Sequence, residues 1–140
     1  MNAEIHGIPN WSVALHWEKL ARLLRPVLDR PEVHNTPEDV RAFLMSGNMQ
    51  AWHIGWETVF VTMIQPYGID PQRPHTKVCN IVYCAGTGLK TWVDAIDAHF
   101  SAWARVMGCS QVLINGRAGW ARVGKARGWH LATTTIVRDV

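Results

Sequence analysis

The chain has 140 residues, 48% of them hydrophobic and 18% charged. That balance suits one domain around one core, residues 1–140, and excludes a disordered tail or a coiled coil. The net charge of +3 helps an anionic ligand approach, but is too weak and too spread out for a nucleic-acid surface. Eight tryptophans are many for this length and fit a packed core plus some contact surface. No stretch is long and apolar enough to cross a bilayer. Residues 1–10 lack the charged start and apolar run of a signal peptide. Three cysteines without framework spacing point to a reducing cytosol, so the expected location is the cytoplasm.

A helical part, 1–48, comes first. The first helix is expected over 12–25, with Ser12 as cap and Pro26 ending or kinking it. Leu15, Lys19, Leu20, Leu23 and Leu24, with Trp11 and Val27, supply its stripe. A second helix is expected over 36–44, capped by Thr36, with Pro37 at its first position and Gly47 stopping it. From 49 onward the pattern changes. Aromatic and β-branched residues over 50–56 and 58–65 predict two antiparallel strands around Gly55, and 66–74 is a proline-rich loop. The segment 77–84 is apolar on both faces and reads as a central strand, broken by Cys84-Ala85-Gly86-Thr87-Gly88.

A long helix is expected over 89–107, with Leu89, Trp92, Val93, Ile96, Phe100, Trp103 and Met107 on its apolar face and Gly108 as its cap. A strand over 111–115, a basic helix over 118–126 ended by Gly128, and a strand over 129–137 follow. The expected order is α-α-β-β-β-α-β-α-β, an α/β chain with a mixed sheet. Cys79 and Cys84 lie an odd number of residues apart on one predicted strand, which sends their side chains to opposite faces. Each reads as a buried thiol, and no metal is expected.

The chemistry-bearing unit is the strand, glycine turn and helix around Gly86. Glycines let backbone approach a bulky anion, and the first N–H groups of a helix point outward unpaired. With the helix dipole this makes a diphosphate cradle, with the N–H groups of Thr87, Gly88 and Leu89 as candidate donors. The same pattern also serves a tight turn with no ligand. Leu89 breaks a P-loop reading, and Thr91 stands where a dinucleotide fingerprint needs its third glycine.

Gly86-Thr87-Gly88, then Ala102-Trp103-Ala104-Arg105 with Gly108-Cys109, then Gly128-Trp129, occur in an order that resembles the GNAT family of N-acetyltransferases. The family's first strand is missing or very short here. Gln50-Ala51-Trp52 and 116–122 further resemble a set of small GNAT-like proteins encoded by tailed bacteriophages. The resemblance implies an acetyl-CoA or other acyl-CoA cosubstrate along the central strand, held at Tyr83, Cys84, Gly86, Thr87, Gly88 and Leu89. An amine would attack the thioester while a backbone N–H near Tyr83 or Cys84 polarises the carbonyl.

Three departures stand out. Tyr83 occupies the place of the family's Gln or Arg, and Gly124 that of its general-acid tyrosine. The central strand carries no carboxylate to act as base. Tyr83, Glu57 and His53 are the catalytic candidates, with His75 and His99 behind them; each also suits a surface or packing role. Arg117, Arg122, Lys125 and Arg127 form a basic cluster that suits a solvated helix face, CoA phosphates or a partner surface. Two functions follow. One is an acyl-CoA-dependent N-acyltransferase on an unknown amine. The other is an inactive GNAT-like component of a phage particle or its assembly, acting through contacts with other phage structural proteins or itself. Membrane and nucleic acid are not expected partners.

Overall fold

A computed structural model describes residues 4–31, 33–67, 76–87, 93–114 and 128. The described elements are β1 (His6–Ile8), α1 (Val13–Leu28), α2 (Pro37–Ser46), β2 (Gln50–Ile54), β3 (Thr58–Gln65), β4 (Val78–Gly86), α3 (Val93–Val106) and β5 (Gln111–Ile114). The sheet runs β1-β2-β3-β4-β5. Its first four strands are antiparallel neighbours, and β5 joins β4 in parallel. This is the expected mixed α/β sheet. The first described element is a strand rather than a helix, the very short form of the family's first strand: β1 is three residues long and pairs with β2 through His6–His53 and Ile8–Ala51. The expected elements over 118–126 and 129–137 lie outside the described residues. So do His75, Gly88, Leu89, Trp92, Gly124 and the basic cluster.

One face of the sheet receives α1 and α2. Val13, Leu20, Leu24, Val27 and Leu28 of α1 and Val40 and Leu44 of α2 pack on Ala51, Val59, Val61, Tyr83 and Ala85. Fully burying such a side chain contributes about 1.5–3 kcal/mol. The expected stripe is therefore shifted: Trp11 and Leu15 are 77% and 78% exposed. A 3₁₀ turn, Asn10–Ser12, precedes α1, and its tighter winding carries Trp11 off the apolar side. Ser12 does not cap α1 with its side chain; its hydroxyl donates to the Pro9 carbonyl instead. Pro26 neither ends nor breaks the helix, which runs on to Leu28. Arg22 and Pro26 face solvent, so the Arg22 carbonyl that proline leaves unbonded is on the wet side, while Val27 and Leu28 gain burial.

Thr36 caps α2 as expected. Its hydroxyl accepts from the Asp39 N–H at 3.1 Å and the Asp39 carboxylate accepts from the Thr36 N–H at 2.9 Å. Gly47 ends it at φ +84°. The opposite face of the sheet receives α3, through Ile96 and Phe100 against Ile54, Phe60 and Ile81. Among the described residues no helix is long and apolar enough to cross a membrane.

Strand β4 is central, as expected, but not regular. Val61 lies opposite Tyr83 while Thr62 lies opposite Ile81, so Val82 is an extra residue, a β-bulge. A bulge reverses the alternation beyond it. Cys79, packed on Ala104, and Cys84, packed among the residues around Phe100, therefore share the α3 face. This corrects the expectation that they face opposite ways.

Candidate functional site

Among the described residues, strand β5 pairs with β4 from Val78 to Ile81. The bulge follows at once, and β4 continues from Val82 to Gly86 without a described partner on that side. The expected break at Cys84 is absent, because Cys84, Ala85 and Gly86 still pair with Phe60, Val59 and Thr58 of β3.

Gly86 is glycine for a reason within the fold. Its φ is +113°, and a Cβ there would lie 2.1 Å from the Glu57 carbonyl oxygen and 2.8 Å from the Thr58 Cα. No L side chain fits against backbone that close. The next residue is tied at both ends. The Thr87 N–H donates to the Glu57 carbonyl at 3.2 Å, and the Thr58 hydroxyl donates to the Thr87 carbonyl. The Thr87 N–H, expected as an anion donor, is thus already bonded within the chain. Gly88 and Leu89, the other two expected donors, lie outside the described residues.

The Tyr83 side chain turns toward α1 and α2. Its ring is buried at 7% exposure, and its hydroxyl accepts from the Asn35 amide at 2.8 Å. It therefore tethers the segment joining α1 to α2. The Cys84 thiol sits on the other face, pushed up to about 12 by burial. Cys79, buried near Cys109, is likewise pushed up to about 12. Both behave as packed hydrophobes rather than nucleophiles.

The remaining candidates are not gathered at β4. Glu57 is exposed in the turn between β2 and β3, and its backbone, not its carboxylate, meets the Gly86 turn. His53 lies on β2, opposite Val59, so β3 separates it from β4. It stacks on Trp56 at 4.0 Å and its Nδ1 accepts the Trp56 N–H at 3.2 Å. His6 lies 5.3 Å from its ring, His16 lies 5.1 Å from the Trp56 ring, and Lys19 sits over Trp56 at 5.0 Å. Burial, then His6, His16 and Lys19, hold His53 below the ordinary value of 6.5. His99 packs edge-on against Trp52 at 5.0 Å, and burial lowers it too. Among the described residues no three His, Cys, Asp or Glu side chains group as metal ligands.

Two residues at this site escape sequence reasoning. Thr58, fully buried, opens β3 and reads there as an ordinary β-former. Asn35 sits before a helix cap and reads as loop. Neither carries a motif.

No protein-family profile and no curated protein matches this sequence. Solved structures match it in shape. The aminoglycoside N-acetyltransferase AAC(6')-Iy, in complex with the bisubstrate analog CoA-S-monomethyl-acetylneamine, aligns at TM-score 0.70 and 12% identity, over 100% of this chain and 99% of that one. A GCN5-related N-acetyltransferase from Ralstonia eutropha aligns at TM-score 0.65 and 13% identity, over 99% of both chains. A predicted acetyltransferase from Clostridium acetobutylicum, solved with acetyl-CoA, aligns at TM-score 0.64 and 10% identity, over 99% of this chain and 96% of that one. The chain therefore has the fold of the GNAT acetyltransferases.

Proposed function

We propose that this protein binds an acyl-CoA along the C-terminal half of β4 and transfers its acyl group to an amine. The observation that carries this is the segment Val82–Gly86, which follows a bulge next to the parallel β4–β5 pairing and ends in a turn pinned by Glu57 and Thr58. Solved proteins of the same fold hold CoA or acetyl-CoA. An extended amide-bearing arm can pair with strand backbone, and a glycine turn ahead of a helix favours anions, so the sequence there suits such a ligand.

A bound acyl-CoA supplies a thioester; as the amine's N–C bond forms the C–S bond breaks, the amine loses a proton and the thiolate gains one. The chain's own part is to hold and orient. A backbone N–H at Tyr83 or Cys84 polarises the carbonyl. Strand β4 carries no carboxylate, imidazole or amine, so the group or water that takes the amine's proton stands off that strand. Nothing in the described residues favours the particle-component reading over this one.

A titration of the ¹⁵N-labelled protein with acetyl-CoA tests the proposal. Shifts should concentrate from Val82 to Thr87. Shifts confined to α1, α2 and β1 would place any binding elsewhere and refute it.

A further inference from the structure

The turn between β2 and β3 is held in an unfavourable shape. The Glu57 N–H donates to the Ile54 carbonyl at 3.0 Å, and both residues between them have positive φ, Gly55 at +55° and Trp56 at +56°. That is the pattern of a type I′ turn, which suits glycine at both places. Tryptophan adopts it only against steric resistance from its own Cβ. Trp56 is the one non-glycine residue at positive φ among the described residues.

His53 holds it there. Its ring stacks on Trp56 at 4.0 Å and 14°, and its Nδ1 accepts the Trp56 backbone N–H at 3.2 Å. Nδ1 therefore presents a lone pair, and the neutral ring keeps its hydrogen on Nε2. A second proton has one place to go: Nδ1 itself, where it meets the Trp56 N–H head on. Every charge that reaches His53 opposes a further positive one. His6 of β1 lies 5.3 Å from its ring and is tied to Glu4 at 3.6 Å. From α1, the His16 ring lies 5.1 Å from the Trp56 ring and the Lys19 ammonium 5.0 Å from it. Burial and these three neighbours keep His53 neutral at neutral pH, so its bond to Trp56 breaks in acid.

The same turn also holds β4. The Glu57 carbonyl accepts the Thr87 N–H at 3.2 Å, and Gly86 lies flat against it. We propose that His53 is a proton-operated latch: protonation at Nδ1 releases the Trp56 N–H, lets the β2–β3 turn relax, and loosens the end of β4 that Glu57 holds. The device needs no ligand and stands apart from the acyl-CoA reading.

Backbone amide exchange tests it, read as protection relative to an unstructured chain at the same pH, so that the intrinsic pH dependence cancels. The comparison runs from about pH 7.5 to about one unit below the His53 midpoint, located from its own ring resonances. Protection at Trp56, Glu57 and Thr87 should fall roughly tenfold, while Leu44 in α2 changes less than about twofold. His53→Asn keeps an acceptor but does not titrate, so the three amides should then stay within about twofold. Wild-type protection that does not fall, or that falls equally at Leu44, overturns the latch. A fall at Trp56 and Glu57 that spares Thr87 overturns its reach to β4. A fall in H53N as large as in wild type assigns the effect to another group and overturns the role of His53. A long-range ¹H–¹⁵N spectrum at about pH 7.5 should find the ring hydrogen on Nε2; a hydrogen on Nδ1 contradicts the geometry. If H53N does not fold, Trp56→Gly takes its place. Glycine rests at positive φ, so Glu57 and Thr87 should keep their protection in acid. Losing it as wild type does contradicts the proposal.

Discussion

Gly86→Ala is the sharpest perturbation the structure offers. A Cβ at Gly86 meets the Glu57 carbonyl oxygen at 2.1 Å and the Thr58 Cα at 2.8 Å. Both are backbone atoms, so no rotamer change relieves the clash. The φ of +113° adds a penalty of about 1–2 kcal/mol for an L side chain. Overpacking of this kind costs about 1–3 kcal/mol more. The sum, about 2–5 kcal/mol, is a large part of the roughly 5–15 kcal/mol that holds a domain together. Gly47→Ala is the matched control. Its φ is +84°, yet a Cβ there meets nothing within 4 Å, so only the conformational penalty applies. Urea unfolding followed by tryptophan fluorescence should place G86A about 1–3 kcal/mol below G47A. Strands β3 and β4 must part to admit the methyl group, so amide exchange at Thr87 should also quicken. Equal stability of the two variants would refute the close β3–β4 approach.

Other consequences follow from the same geometry. Tyr83→Phe removes the partner of Asn35 and should cost about 1 kcal/mol in unfolding experiments, with Asn35→Ala non-additive to it. Acyl transfer by Y83F should persist; its loss without loss of stability would return Tyr83 to a catalytic role. His53 and His99 are held neutral in the fold, so the unfolded chain takes up their protons more readily. Stability should be full above about pH 6.5, decline as pH falls toward their lowered values, and level off below them. His53→Asn, which keeps an acceptor for the Trp56 N–H, should remove part of that decline; a thermal melt series that it leaves unchanged would contradict this. Cys79 and Cys84, both pushed up to about 12, should react with Ellman's reagent at pH 8 more than about a hundredfold slower before unfolding than after.

Periodicity reports burial, and it was legible where burial is one-sided. The cap at Thr36, the β2–β3 hairpin and the face of α3 through Ile96 and Phe100 all follow from pattern. Strand β4 shows the limit. It is apolar on both faces, so the extra residue at Val82 leaves no trace in the alternation, and the shared face of Cys79 and Cys84 was hidden. Strand β1, at three residues, is too short to show a period. Pro26 lies in a helix because the packing of Val27 and Leu28 outweighs a lost hydrogen bond. The glycine turn was visible, but its glycine answers first to Glu57 and Thr58, which lie some thirty residues away in sequence. No local pattern encodes a contact of that span. The scattering of His53, Glu57 and Tyr83 is of the same kind: the ladder, not the motif, decides which of them reaches β4.

Calorimetric titration of acetyl-CoA into the folded protein tests the central claim most directly. The acyl-CoA site proposed along β4 predicts saturable binding of one ligand per chain, weakened in G86A. A well-folded sample that takes up no acetyl-CoA at millimolar concentration would contradict it.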